Sequence, residues 1–490
     1  MQGADWSQRL EPISPGPDQS APYTQHSAIV LTTYRATTRD LLRLALPVTV
    51  VQVGMMAMGV VDTAMVGRVG AADLAAVALG SMYFFLISIF GLGVLMALDP
   101  VVAQGAGAND HEAVARGVQR GLLLALGLGL VASMLHLPAA AVLAILGQPD
   151  DVVPIARAYV RALIPGILPF FVFSVFRQSL QALHHTRALV AAIALANFAN
   201  VFFNWVLIFG HLGFPSLGAQ GAGIATSLSR WFMTLGLLGA AWPLLRPLLL
   251  PVRPEIWQWE PLMRIIRIGL PIGLHHELEF GAFGVTALLM GTLGTIEMAA
   301  HQIALNIASL TFMVPLGVGA AAAVLVGRAV GRGDPGDARR SAAVSLAVGV
   351  SFMGASAIVM LLFPRAIASL YTDLDPVLAL AGTLIPIAGA FQVFDGTQVV
   401  SAGTLRGVGD TRVPMLIGLV GFWLIGLPVS ATLAFGVGLG PLGLWWGLVA
   451  GLGAVAILLL LRVRARFRGP LDRVLIDDAD LAADSVVPPA

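Results

Sequence analysis

From residue 41 onward the chain alternates long apolar runs with short polar ones, and the apolar runs are of similar length. They fall near residues 41–66, 76–102, 118–146, 155–182, 188–210 and 220–245, then near 268–290, 298–326, 341–363, 377–403, 413–436 and 442–462. Each suffices for a helix across the hydrocarbon core, which takes roughly 20 residues. Only closed hydrogen-bonding elements survive in lipid, so the pattern predicts an all-α polytopic membrane protein with twelve transmembrane helices. Residues 1–40 are polar and proline-containing, and their one apolar run is too short for a signal peptide, so a flexible cytoplasmic tail is expected there. Residues 246–267 hold prolines, arginines and tryptophans and read as a linker with an interfacial helix. Residues 463–490 form a second cytoplasmic tail.

The two sets of six runs are copies of one another. "LRLALP" at 42 meets "IRIGLP" at 266, and "GRVGAADLAA" at 67 meets "GTLGTIEMAA" at 291. "VVAQGAGAND" at 101 meets "LVGRAVGRGD" at 325, all at an offset of 224. Later, "LQALHHTR" aligns with "LRGVGDTR" at an offset of 225. Six spans is an even number, so both copies enter the membrane in the same sense. A parallel repeat places a pseudo-twofold axis along the membrane normal, with an N-lobe at 41–245, a C-lobe at 268–462 and a central cavity between them.

Composition narrows the function. Hydrophobic residues make up 57% of the chain, charged residues 11%, and the mean hydropathy is +0.86. A net charge of +1 without a basic, aromatic-studded stripe excludes a nucleic-acid partner. With no cysteine, disulfides and thiolate chemistry are excluded. Lysine is also absent, which removes the phosphate-gripping residue of an ATP-binding loop, so no cofactor is expected. With both termini cytoplasmic, the inner loops collect most of the arginines, among them Arg116, Arg187, Arg264, Arg328 and Arg412; the outer loops hold Arg68, Arg157, Arg161 and Arg365. The positive-inside rule then fixes the orientation in an inner membrane.

Several charges remain inside the apolar runs. An ionised acid in hydrocarbon costs about 2.5 to 3.5 kcal/mol on insertion scales, so each needs a partner or a function. Asp395, in "AFQVFDGTQVV", is about 11 residues, or roughly 16 Å of helix, from the nearer charged neighbour. Gln398 follows one turn later and offers a neutral oxygen on the same face. Glu279, in "GLHHELEFGAF", falls about 18 Å into the seventh run. Glu277 points elsewhere, and one of the two glutamates is expected to pair with His275 or His276. Glu279 and Asp395 could share a site, and two close carboxylates call for a cation or a shared proton. Na+ suits their oxygen ligands. Asp62, in "MMAMGVVDTAMVG", is roughly 9 Å from the outer end of the first run. Met55, Met58 and Met65 share its helical face, either as a polarisable cavity wall or as core packing. Asn200 and Asn204, four residues apart in the fifth run, are candidate partners for Asp62 or glue between helices. Arg177 is expected to snorkel toward the interface, and Arg230 has no partner visible in the sequence.

At these residues the sequence resembles the multidrug and toxic compound extrusion (MATE) family, specifically its NorM-like branch. The matching segments include "LALPVTVVQVGMMAMGVVDTAMVGRVGAADLAAVALG", "FNWVLIFGHLGFPSLGAQGAGIATSLSRW", "EFGAFGVTALLMGTLGTIEMAAHQIALNIASL" and "FQVFDGTQVVSAGTLRGVGDTRVPM", and the likeness covers residues 40–465. The resemblance implies two six-helix lobes in a V that alternates access, and export of organic cations in exchange for Na+ or H+. It places Asp62 on the family's first-helix aspartate, Asn200 and Asn204 on polar positions near it, and Glu279 with Asp395 on an acidic pair of the second lobe. Some relatives carry a tyrosine where this chain has Phe391, counted here with the cavity wall. Asp99 stands where an apolar residue is usual and is expected at the cytoplasmic interface. Small cationic drugs or toxic organic compounds are the expected cargo, membrane lipid the surroundings, and a monomer the expected state. The alternatives are a flippase for lipid-linked precursors, which would want arginines along the cavity, and a channel, which would conduct without a counter-ion.

Overall fold

A computed structural model of the chain describes residues 23–477, with side chains from Tyr34 onward; residues 1–22 and 478–490 of the expected tails lie outside the described residues. Within them are twelve long helices: α1 (Tyr23–Val66), α2 (Ala71–Gly107), α3 (His111–His136), α4 (Val152–Ala182), α5 (Arg187–Phe209), α6 (Gly218–Ala240), α7 (Trp259–Leu293), α8 (Thr295–Gly331), α9 (Pro335–Leu362), α10 (Asp375–Gly407), α11 (Arg412–Gly436) and α12 (Pro441–Arg468). No strand occurs among the described residues. The first helix begins at Tyr23, well before the expected start near 41, so part of the expected tail is helical.

Ten helices are long and apolar enough to cross a membrane, or eleven when α6 and the short helix Trp242–Leu249, bent by 89°, count as one span. Against the twelve expected spans, the differences sit in two helices. At the end of α6, Pro243 cannot donate a hydrogen bond and opens the short helix in a new direction. The other, α7, has length enough at 35 residues but carries His275, His276, Glu277 and Glu279. Proline also shortens the third span: α3 stops at His136, and the chain turns at Leu137–Pro138 before the short helix Ala139–Ile145.

The repeat persists in the turns. Asn109 and Gly333, 224 positions apart, both have left-handed backbones, with φ of 57° and 69°. The next residues, Asp110 and Asp334, cap α3 and α9 by accepting from the backbone N–H groups of Ala113 and Asp337 at 2.9 and 2.8 Å.

One core cluster fills α1–α6, the N-lobe, and reaches across to Ile265 of α7, Val318 and Val324 of α8 and Val400 of α10; a second fills α7–α12, the C-lobe. The lobes meet along three seams: α1 against α8, α2 against α7, and the last turns of α2 against α8. Glycines let the backbones touch there. A Cβ on Gly93 of α2 would stand 2.5 Å from the Gly273 Cα of α7, and one on Gly331 of α8 would stand 2.0 Å from the Gln104 carbonyl of α2. Gly317 of α8 packs as tightly on Thr49 of α1. These contacts run from the middle of the helices to the arginine-rich end. Toward the other end, a Cβ on Gly59 of α1 or Gly284 of α7 would meet nothing within 4 Å.

Candidate functional site

In the N-lobe, small residues bring three helices together around one acid. Gly54 of α1 lies so close to α5 that a Cβ would reach Ile193 at 2.7 Å, and Gly221 brings α6 onto the Leu207 carbonyl of α5. One turn or two further along, the buried Asp62 carboxylate sits between α5 and α6. Its Oδ1 accepts from Asn200 Nδ2 at 3.0 Å and from Asn204 Nδ2 at 2.6 Å, and its Oδ2 accepts from Thr226 Oγ1 at 2.5 Å. Asn204 also donates to Asn200 Oδ1 at 3.2 Å. All three hydrogen-bond donors to the carboxylate are neutral. Arg230 lies near enough for its charge to act on Asp62. Its guanidinium rests on the rings of Phe84 and Phe170, 4.2 and 4.7 Å from the centroids, the partners that the sequence did not reveal.

The C-lobe acid has different surroundings. Asp395 on α10 is buried, and its Oδ1 has no hydrogen-bond partner. Glu279 on α7 is near enough for its charge to act on Asp395, and His276 Nδ1 stands 3.8 Å from Glu279 Oε2. Gln398 does not bond Asp395. Its amide nitrogen faces His275 Nε2 at 3.1 Å, and its Oε1 is left without a partner. Among the described residues no three His, Asp or Glu side chains gather as a metal-ion site.

The expected wall residues turn out packed. Met58 is buried in the N-lobe core, and Met55 and Met65 lie partly buried against it. Phe391 is only 2% exposed, edge-on to Phe283 and Trp445 with centroids 5.8 Å away in each case. Met58 thus packs in the core, while Met55 and Met65 keep part of their surface exposed; Phe391 packs against rings in place of its expected position on a cavity wall.

Two further expectations are corrected at the seam. Asp99 is buried and accepts from Arg406 Nε of the C-lobe at 2.9 Å. Arg177, expected to snorkel, instead donates to Gln52 Oε1 at 2.6 Å. The sequence pointed to no partner for Arg406 and to no role for Thr226 or Gln104. Gln104 is buried and donates to the Gly407 carbonyl across the seam at 2.8 Å. The signals available were slight: a small hydroxyl and an amide inside apolar runs, and an arginine counted only toward the loops.

Two repeated helical lobes that touch at one end, each burying an acid at membrane depth, define a polytopic membrane transporter rather than an enzyme. The family model described as MatE matches the chain twice, over residues 47–206 and 271–432, the two copies of the repeat. "Probable multidrug resistance protein NorM" of Mesorhizobium japonicum is 39% identical over 446 residues, covering 89% of this chain and 95% of that protein. "Multidrug resistance protein MdtK" of Edwardsiella ictaluri is 36% identical, over 89% and 97% of the two chains. The crystal structure of the eukaryotic MATE transporter AtDTX14 superposes with a TM-score of 0.81 at 22% identity, covering 89% of this chain and 99% of its own. The chain belongs to the MATE family.

Proposed function

We propose that the protein is a secondary active efflux antiporter that exports organic cations, small cationic drugs or toxic compounds, in exchange for Na+ or H+ by alternating access. The observation that carries this reading is Asp62, a buried carboxyl inside a membrane-spanning helix, held by three neutral donors from two other helices. A cation or a proton reaching that anion gains a partner, and the two compete for one charge. Asp395 and Glu279, with Gln398 Oε1 unpartnered nearby, serve the same competition in the C-lobe. The names of the relatives, multidrug resistance proteins, support the cargo class. The arginine-rich end faces the cytoplasm, by the positive-inside rule, and the protein acts as a monomer in the inner membrane.

Each elementary charge crossing about 100 mV supplies roughly 2.3 kcal/mol. Each net charge carried inward per cycle therefore sustains a cargo gradient of about fiftyfold, whereas one-for-one exchange against a singly charged cation draws only on the concentration gradient of the coupling ion. The test is export of a fluorescent organic cation from proteoliposomes under an imposed Na+ gradient or pH gradient. Wild type exports under one of them, and Asp62→Asn loses most of that rate. Export by Asp62→Asn at the wild-type rate would overturn the reading.

A further inference from the structure

Beyond Arg468, where α12 ends, the chain does not leave the molecule. Residues 469–477 run from the C-lobe beneath the N-lobe at the arginine-rich end and are held there along their length. Arg473 Nη2 donates to Asp110 Oδ2 at 2.8 Å, at the cap of α3. Val474 N donates to Gln104 Oε1 of α2 at 2.6 Å. The Asp477 carboxylate accepts from Arg116 Nε and from Arg120 Nη2 of α3, each at 2.6 Å. Ile476 is buried in the N-lobe core cluster, and its carbonyl accepts from Arg264 Nη1 at the start of α7 at 2.7 Å. Gln104 joins this segment to the seam, since its other amide end donates to Gly407 of the C-lobe.

A tail that only rested on the surface would not bury an isoleucine and close three ion pairs with a buried arginine among their donors. Arg120 is 0% exposed, and besides Asp477 it donates to the Glu255 carbonyl of the linker at 2.8 Å. Burial raises the Asp477 carboxyl, but hydrogen bonds from Arg120 and Arg116 outweigh it and hold the group below the usual aspartate range. From Arg468 to Arg473 the chain spans at most roughly 17 Å when fully extended. As long as residues 473–477 stay on α2 and α3, the end of α12 cannot move farther than that from the N-lobe.

We propose that residues 469–477 are a clasp that holds the lobes together at the arginine-rich end and has to let go of α2 and α3 before that end can open. The inference rests on alternating access between the lobes. It gives the C-terminal segment a conformational task and makes Asp477, Arg473 and Gln104 positioning residues for the transport cycle.

The absence of cysteine in the sequence makes the test clean. Ile145 and Leu370 are 85% and 81% exposed in the α3–α4 and α9–α10 connections, at the end opposite the clasp, one on each lobe. Cysteines there carry spin labels, and their separation is measured in lipid nanodiscs by pulsed electron resonance. Wild type is expected to favour the longer separation, with the lobes parted at the labelled end. Asp477→Ala is expected to raise the shorter-distance population about fivefold, the shift that roughly 1 kcal/mol of lost contact gives. A second variant inserts four glycine or serine residues between Gly469 and Pro470, which lengthens the tether and leaves in place the contacts of residues 473–477 with α2 and α3. It is expected to move the population the same way, and it decides the matter if Asp477→Ala does not fold. Folded variants with the wild-type distribution would overturn the clasp. A wild type that holds one distance with and without an organic cation overturns alternating access itself, and the clasp with it.

Discussion

Asp62 in the N-lobe and Asp395 in the C-lobe are both buried acids on long helices, yet their surroundings differ. Asp62 accepts from two asparagines and a threonine on two other helices, whereas Asp395 Oδ1 has no partner. The repeat does not relate them. At the offset of 224, Asp62 corresponds to Thr286, which bonds the Ala282 carbonyl of its own helix. At the offset of 225, Asp395 corresponds to Phe170, one of the rings under Arg230. The two copies thus kept their turns, caps and seam glycines while their polar interiors diverged. One lobe surrounds its acid with hydrogen-bond donors; the other leaves an oxygen of its acid unpartnered.

The largest test of that difference is stability. Asp62→Leu strands three buried donors, each costing about 1–3 kcal/mol when left unmade, so the thermal midpoint in detergent falls sharply. Asp395→Leu removes an acid that has no partner to lose, and the midpoint holds or rises. Equal losses would erase the contrast. A smaller effect separates the donors. Thr226→Val and Asn204→Ala, which break the shorter bonds, are expected to cost about 1–2 kcal/mol each, and Gln398→Ala less than about 1 kcal/mol. Heat-denaturation midpoints for the three variants give the order, and a costlier Gln398→Ala would contradict it.

The smallest effect lies in the turns. His184 and Gly409 are equivalent positions with φ of 63° and 76°. Burial first, then Arg328, brings the His184 imidazole down to about 4. A histidine lowered by folding binds protons more readily when unfolded. The stability held by its neutral form is therefore full above its unfolded value of about 6.5 and is lost as pH falls toward 4. His184→Gly, which also suits the left-handed backbone, is expected to flatten that part of the stability profile between pH 7 and 4.5. An unchanged slope would show that the group is not responsible.

Much of this was legible in the sequence. Apolar run length placed the helices, and the matched segments placed the repeat, because span length and cap chemistry are local. Asp62, Asn200 and Asn204 were legible as a group because the helical period puts the asparagines on one face and a buried amide needs a partner. What crosses between elements was not. Thr226 looks like any small residue of a packed helix, Asp99 and Arg406 are 307 positions apart, and the segment beyond Arg468 gave no sign that it folds back. Gln398 shows the same limit: it lies on the face of Asp395 by spacing, yet a histidine on another helix takes its amide.

The central claim is that cargo and coupling ion compete for the buried carboxylates. The most direct test is binding of a fluorescent organic cation to the purified protein, titrated with Na+ and, separately, with acid, in wild type and in the Asp62→Asn/Asp395→Asn double variant. Na+ or protons are expected to displace the cation competitively from wild type, and the double variant is expected to bind it at least about tenfold more weakly, a loss of roughly 1.4 kcal/mol. Equal affinity in both proteins, or displacement by neither ion, would contradict it.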